Sequence, residues 1–171
     1  MKYIKTLIGA LFVAAFVSSA VAAEPTERWT LSLAGSGATA VDSKSTTFGT
    51  ELSLGLNAKV VLPVELGVRQ GVAYSSDDSK VVFGTRVYSD FTVLSLGKNL
   101  NFFAGANGGA VYGDTAVSWV VGPEVGARLF LKKDVFVFGR VQYDFDLNNR
   151  TSLNQTALDK VRYALGLSVR F

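Results

Sequence analysis

Eleven charged residues recur at alternate positions within otherwise apolar segments, and they define the chemistry that this chain could perform. They are Glu51, Glu65, Arg69, Arg86, Asp90, Glu124, Arg128, Arg140, Asp144, Arg162 and Arg170. Carboxylates can act as general acids or bases or hold hard cations, and guanidiniums can bind anions or pair with carboxylates. Six arginines nearly balance five carboxylates here, which favours ion pairing within the set.

The residue types that are missing restrict the chemistry further. The chain has neither histidine nor cysteine, which removes the commonest general base, the commonest metal ligand and any thiolate nucleophile. No serine has a partner at a recognisable catalytic spacing. We therefore predict no enzymatic activity and no cofactor. A metal site built only from carboxylates stays open, although the acidic pair Asp77 and Asp78 is more typical of a solvated loop tip.

The elements that carry these charges alternate between apolar and polar residues with a period of two. Eight segments of about ten residues or more show this pattern, and they span residues 28–37, 46–58, 64–74, 80–94, 100–112, 116–131, 135–145 and 163–171 with its lead-in. Such alternation indicates strands, and eight long segments of this kind are typical of a transmembrane β-barrel. We predict an all-β, eight-stranded, antiparallel, transmembrane up-and-down barrel. The glycines of the fifth segment leave its facing open.

The two faces of these strands differ in kind. One carries Leu, Val and aromatic residues, and the other carries the eleven charges together with Gly, Ser and Ala. An Arg or Lys at the bilayer midplane costs about 2–4 kcal/mol on the lipid face of a barrel, so we expect the charges to face inward. Pairs at i, i+4 on one strand, such as Glu65 and Arg69, stand about 13 Å apart, and ion pairs must therefore form between strands. Outward rings near the strand ends are expected to form an aromatic girdle.

The connections between segments alternate in length. Longer polar loops are predicted at 35–46, 75–79, 113–115 and 146–159, and tighter turns at 57–63, 97–99 and 132–134. In barrels of this type the longer set faces outward and the tight set faces the periplasm. Pro123 lies inside the sixth segment and lacks a backbone N–H, so we predict a bulge at Gly122 and Pro123.

The N-terminus has the pattern of a secretory signal peptide. Lys2 and Lys5 precede an apolar run from Leu7 to Val17, and small residues follow from Ser18 to Ala23. We predict a signal at 1–23, cleaved after Ala22 or Ala23, and a barrel at 24–171. The mature chain then carries fifteen basic and fourteen acidic residues with no basic cluster, which argues against a nucleic-acid partner.

Three features together resemble a known family: this signal peptide, the segment GPEVGARLFL at 122–131, and the closing pattern Tyr163-x-Leu165-x-Leu167-x-Val169-x-Phe171. The chain is similar in them to small bacterial outer-membrane β-barrel proteins of the OmpA/OmpX type. The resemblance implies an outer-membrane location, contact with outer-membrane lipid, and a role for Tyr163 and Phe171 as the signal read by the barrel-assembly machinery. With it we expect periplasmic chaperones during biogenesis and a monomeric barrel.

Eight strands enclose an interior that side chains can fill, and this favours a structural or surface-interaction role for the barrel, with Arg/carboxylate pairs locking its interior. Two alternatives stay open: a narrow gated pore for small solutes or ions, and an adhesin or receptor that uses the loops at 37–46 and 146–159. The alternative fold is a soluble periplasmic barrel with an apolar lumen.

Overall fold

Eight antiparallel strands, arranged in sequence order, close into a barrel. The computed structural model describes residues 28–40, 46–59, 63–75, 80–113, 117–147 and 160–171. The strands are β1 Arg28–Ala40, β2 Thr46–Lys59, β3 Pro63–Ser75, β4 Lys80–Leu96, β5 Leu100–Tyr112, β6 Val117–Lys132, β7 Val135–Asp146 and β8 Lys160–Arg170. The prediction of an eight-stranded antiparallel up-and-down barrel is confirmed.

The last strand closes the barrel against the first. The β1–β8 register runs from Thr30 opposite Arg170 to Ala40 opposite Lys160. Beyond it, Trp29 and Phe171 exchange a pair of backbone hydrogen bonds, each of 2.9 Å. Closure leaves every strand hydrogen-bonded to a neighbour on both sides, so no strand forms an exposed edge. The closing role predicted for the final segment is confirmed.

Strand bounds differ most from prediction near Gly35. The predicted loop from residue 35 is wrong, because β1 continues through Gly35 to Ala40. Ser36 pairs with Gly49 of β2 on one side and with Ala164 of β8 on the other. Ladder hydrogen bonds on both sides thus override the turn signal of a Gly- and Ser-rich stretch. The predicted signal peptide and most of the predicted loop residues lie outside the described residues.

Pro123 does not produce a bulge, so that prediction is wrong. It pairs with Ala106 of β5, while the β6–β7 ladder passes from Val121 opposite Phe145 to Glu124 opposite Gln142 without a change of register. The ladder to β7 has a gap at residues 122 and 123, which accommodates the missing N–H without an inserted residue. The register shifts of the β4–β5 and β6–β7 ladders lie between residues 92 and 94 and between residues 130 and 132.

Among the described residues, no helix is long and apolar enough to span a membrane.

Candidate functional site: the charged interior

The eleven charged residues singled out in the sequence all lie on the inward face of the barrel. Nine of them are buried and two, Arg162 and Arg170, are partly buried. We call the end with the turns 97–99 and 133–134 the turn end, and the opposite end the loop end. The charges fall into two groups along the barrel axis, one nearer each end.

The group nearer the loop end contains paired guanidinium and carboxylate forks. Arg69 of β3 donates to both oxygens of Glu124 of β6, each at 2.6 Å. Arg86 of β4 donates to both oxygens of Asp144 of β7, at 2.6 and 2.8 Å. Bidentate charged pairs of this kind are stronger and more directional than single hydrogen bonds. They span the lumen and join strands that are not neighbours in the sheet.

Two further arginines complete the loop-end group. Arg140 of β7 pairs with Glu51 of β2 across the barrel. The Nε of Arg162 lies 2.8 Å from Asp144 Oδ2, on the neighbouring strand. Asp144 therefore serves two arginines, and this group holds four guanidiniums, of Arg69, Arg86, Arg140 and Arg162, against three carboxylates.

The group nearer the turn end combines charges with aromatic rings. Arg128 reaches Asp90 at 3.0 Å and Glu65 at 3.3 Å, and its guanidinium lies 4.4 Å from the centroid of the Phe103 ring. Arg170 donates to Asn57 at 3.3 Å, and it lies 5.4 and 5.5 Å from two rings, those of Phe130 and Phe136. Ring faces attract guanidiniums electrostatically and cover them from water.

Sequence reasoning missed the neutral polar residues that connect these groups. Asn107 of β5 accepts from Arg86 at 2.9 Å and donates to Glu124 at 3.0 Å, so it links the two forks. Tyr88 donates to Glu65 at 2.8 Å, and its ring lies under the guanidinium of Arg69 at 3.7 Å. Both residues occupy positions that alternate in step with the inward charges, and this spacing could have identified them. For Asn107, the glycines of the fifth segment made the inward positions hard to recognise.

The interior is packed, with little space between the charged groups. Two cavities of about 20 Å³ each lie within it, one beside Glu51 and Arg162 and the other beside Glu65 and Asp90. Each has room for one water-sized particle. An eight-stranded barrel is expected to be filled by side chains in this way. Among the described residues, no group of His, Cys, Asp and Glu could hold a metal ion.

The outward face carries a polar cluster that the sequence analysis also missed. Thr85 donates to Gln70 Oε1 at 2.6 Å, and Gln70 Nε2 donates to the Tyr112 hydroxyl at 3.1 Å. The Tyr112 and Thr85 hydroxyls are 3.0 Å apart. Because the Thr85 proton is already engaged, Tyr112 must donate across that contact. The three side chains form a closed ring of hydrogen bonds across β3, β4 and β5.

The barrel is similar to three outer-membrane barrels of known structure. Neisserial surface protein A superposes with a TM-score of 0.61 at 13% identity, over 85% of this chain and 97% of that chain. A major outer membrane protein from Thermus thermophilus gives 0.54 at 13% identity, over 85% of this chain and 99% of that chain. The N-terminal β-barrel domain of Pseudomonas aeruginosa OprF gives 0.53 at 12% identity, over 83% of this chain and 97% of that chain.

At 12–13% sequence identity, the structural similarity to these proteins establishes a shared fold and nothing more specific. No protein-family model matches the chain, and no curated protein matches it either.

Proposed function

We propose that this chain is an integral protein of the bacterial outer membrane, a closed barrel that serves as a structural anchor and holds its longer loops at the cell surface. The observation that carries the proposal is the inside-out distribution of side chains. The lumen is charged and buried, and the outward face is apolar and exposed. The likeness of the fold to outer-membrane barrels supports the same location.

The outward face suits lipid because large apolar residues are exposed on every strand except β5, where the exposed residue is Ala106. Leu165 is 72% exposed, and Val87 and Leu33 are each 62% exposed. In the described strands, no outward-facing residue between the strand ends carries a charge. In water this surface would cost about 25 cal/mol per Å² of exposed apolar area. A bilayer removes that cost without further folding.

The ring of Gln70, Thr85 and Tyr112 supports the same environment. An amide or hydroxyl without a hydrogen-bond partner is costly in an apolar medium, because no solvent molecule replaces the partner. The ring pairs both hydroxyl protons and the amide oxygen internally. Polar side chains can then remain on a lipid-facing surface between three strands.

Membrane location is tested by extraction and by migration on a gel. We expect the protein in the outer-membrane fraction, soluble only with detergent. We also expect the unheated, detergent-solubilised barrel to migrate differently from the boiled sample, because a closed barrel resists unfolding by detergent. Recovery of the folded chain from periplasmic extract without detergent would contradict the proposal and favour a soluble barrel.

The filled interior supports a structural role over conduction. The bidentate forks cross the lumen, and a satisfied buried network favours one strand register over others. In planar bilayers we expect no single-channel conductance from the wild type or from Glu51→Ala, Glu124→Ala and Arg140→Ala. Stepwise currents that these substitutions change would favour the narrow gated pore instead. The proposal includes no catalytic activity.

Assembly is proposed to use the outward aromatic residues of the closing strand, after export directed by residues 1–23. Phe171 is 68% exposed and Tyr163 lies on the same face of β8, where the barrel-assembly machinery could contact both. We expect Phe171→Ala to lower the yield of heat-modifiable barrel in cells. The matched control is Phe145→Ala, an exposed outward ring on β7, which should leave the yield unchanged. Equal yields for both variants would remove this role.

The surface-interaction part of the proposal concerns the connection between β7 and β8. Deleting residues 148–159 leaves the described strands intact and should reduce binding to host cells or phage if this loop carries recognition. If the variant assembles normally and its binding is unchanged, the loop has no role in recognition and the purely structural role is favoured.

A further inference from the structure

The cavity at the loop-end side of the interior has a polar lining that is mainly cationic. Its volume is about 20 Å³, and its polar lining comes from Ser36, Glu51, Arg69, Arg86 and Arg162. A space of this size admits one water molecule or one monatomic ion. It is too small for a phosphate, a sulfate or an organic acid.

The charges around this cavity do not balance. The Glu124 carboxylate is occupied by Arg69, and Glu51 by Arg140. The Asp144 carboxylate receives both hydrogen bonds of the Arg86 fork and the ion pair with Arg162. Arg69 also lies 3.7 Å from Asp90 of the turn-end group, but that group has two carboxylates for its own two arginines. Among the described interior charges, six guanidiniums therefore face five carboxylates, and the excess positive charge lies in the loop-end group. A buried charge without compensation costs several kcal/mol.

In the described strands, three of the four buried guanidinium Nε atoms without a hydrogen-bond partner belong to this group, and the fourth, that of Arg170, belongs to the turn-end group. The buried Nε atoms of Arg69, Arg140 and Arg162 have no hydrogen-bond partner among the described residues, and Arg69 and Arg162 both line the cavity. The contact of Arg162 with Asp144 is an ion pair without the alignment of a hydrogen bond. Arg69 itself is only 3% exposed, so bulk water does not satisfy it.

The second cavity provides an internal comparison. Among the atoms without a partner there, Glu65 Oε2 and Asp90 Oδ1 are acceptors. The second cavity is lined by the guanidiniums of Arg69, Arg128 and Arg140 and by two carboxylates. The loop-end cavity is lined by three guanidiniums and by one carboxylate, that of Glu51, so its lining carries the larger excess of positive charge. The loop-end cavity favours an acceptor with a negative charge.

We propose that the loop-end cavity binds a small monovalent inorganic anion of the size of chloride. The anion supplies the missing negative charge and accepts from the guanidiniums that surround it. Gly71, Gly84 and Val111 also line the cavity and are only partly buried. This site does not depend on where the barrel resides or on what its loops contact.

Bromide is the probe that tests the site, because it replaces chloride and scatters anomalously. Crystals of the full barrel in sodium bromide should show an anomalous peak between Arg69, Arg86 and Arg162.

In solution, replacing gluconate by chloride or bromide at constant ionic strength should stabilise the refolded barrel. At ten times the anion's Kd, the equilibrium constant for unfolding should fall about elevenfold. Sulfate at the same ionic strength should match gluconate.

Two variants separate the site from a general effect of salt. Arg162→Gln removes the guanidinium without its own carboxylate, and it should abolish both the anomalous peak and the chloride dependence. Arg170→Gln makes the same charge change in the turn-end group and should retain both. The proposal is overturned if bromide gives no peak in the wild type and chloride equals gluconate. Chloride dependence that persists in Arg162→Gln would overturn it as well.

Discussion

The two halves of the barrel interior differ in how their arginines combine carboxylates with aromatic rings. Toward the loop end, Arg69 and Arg86 each meet a carboxylate through two parallel hydrogen bonds. Toward the turn end, Arg128 shares its contacts between two carboxylates, and Arg128 and Arg170 also lie over the rings of Phe103, Phe130 and Phe136. The buried apolar cluster of Ala34, Phe136, Phe138 and Ala164 lies between the two halves, because Ala34 pairs with Glu51 and Ala164 pairs with Arg140 of the loop-end group.

This difference shows that a guanidinium inside a barrel can be stabilised by charge pairing or by ring coverage. A buried ion pair is stable while both partners are present, but removing one partner leaves the other as an uncompensated buried charge, which lowers the stability of the fold. Ring contacts contribute less per group, about 0.5–2 kcal/mol, but they depend less on any single partner. The loop-end half should therefore be more sensitive to single substitutions than the turn-end half.

The largest effect is expected from Glu124→Ala in the loop-end half. The substitution leaves the Arg69 guanidinium buried without its fork partner, and we expect a loss of about 3–5 kcal/mol in the free energy of unfolding. Urea unfolding of the refolded barrel, followed by the fluorescence of Trp29 and Trp119, measures it. A loss below about 1 kcal/mol would mean that solvent reaches Arg69 and that the two halves do not differ in this respect.

The next largest effect is expected at Tyr88, which connects the two halves by contacting Glu65 in one and Arg69 in the other. Tyr88→Phe removes the 2.8 Å hydrogen bond to Glu65 and retains the ring under Arg69. We expect a loss of about 1.5–3 kcal/mol, the usual value for a hydrogen bond to a charged group. The same urea titration measures it. If Tyr88→Leu costs no more than Tyr88→Phe, the ring contact with Arg69 contributes nothing.

A smaller effect tests how tightly the rings of the turn-end half are packed. A methyl group on Gly126 would meet the Phe103 ring and the carbonyl oxygen of Gly139. We expect Gly126→Ala to cost about 1–3 kcal/mol through overpacking. The control is Gly35→Ala on the outward face, where nothing lies within 4 Å of the added methyl, and its stability should stay the same or rise slightly. Equal stabilities would show that Phe103 moves aside freely.

The smallest effect is expected outside both halves, at the ion pair of Arg28 and Asp134. Its atoms are 2.7 Å apart, but the side chains are 46% and 45% exposed. Asp134→Asn should cost less than about 1 kcal/mol, and raising the ionic strength from about 0.1 M to about 1 M should remove most of that difference. A cost equal to that of Glu124→Ala would contradict the view that burial sets the strength of these pairs.

Much of the fold could be predicted because the period of two is a local property. Leu165 and Leu167 face outward and Ala164 faces inward, as the alternation indicates. The bulge prediction at Pro123 was wrong because a missing N–H breaks one ladder hydrogen bond without requiring an extra residue. At Gly35 the prediction was wrong because the turn signal of small residues is weaker than pairing with two neighbouring strands.

By itself, the sequence determined the number of strands, the parity of each face apart from the fifth strand, and the set of charges that points into the lumen. Those properties follow from spacing along one strand, where side chains alternate between faces. The tertiary structure alone decided which charges meet. Glu51 and Arg140 are 89 residues apart, and their contact depends on the relative registers of strands that are not neighbours. The same registers place Asn107 between two forks and bring the guanidiniums of Arg69, Arg86 and Arg162 to one cavity, because closure of the barrel sets the height of every residue relative to those across the lumen.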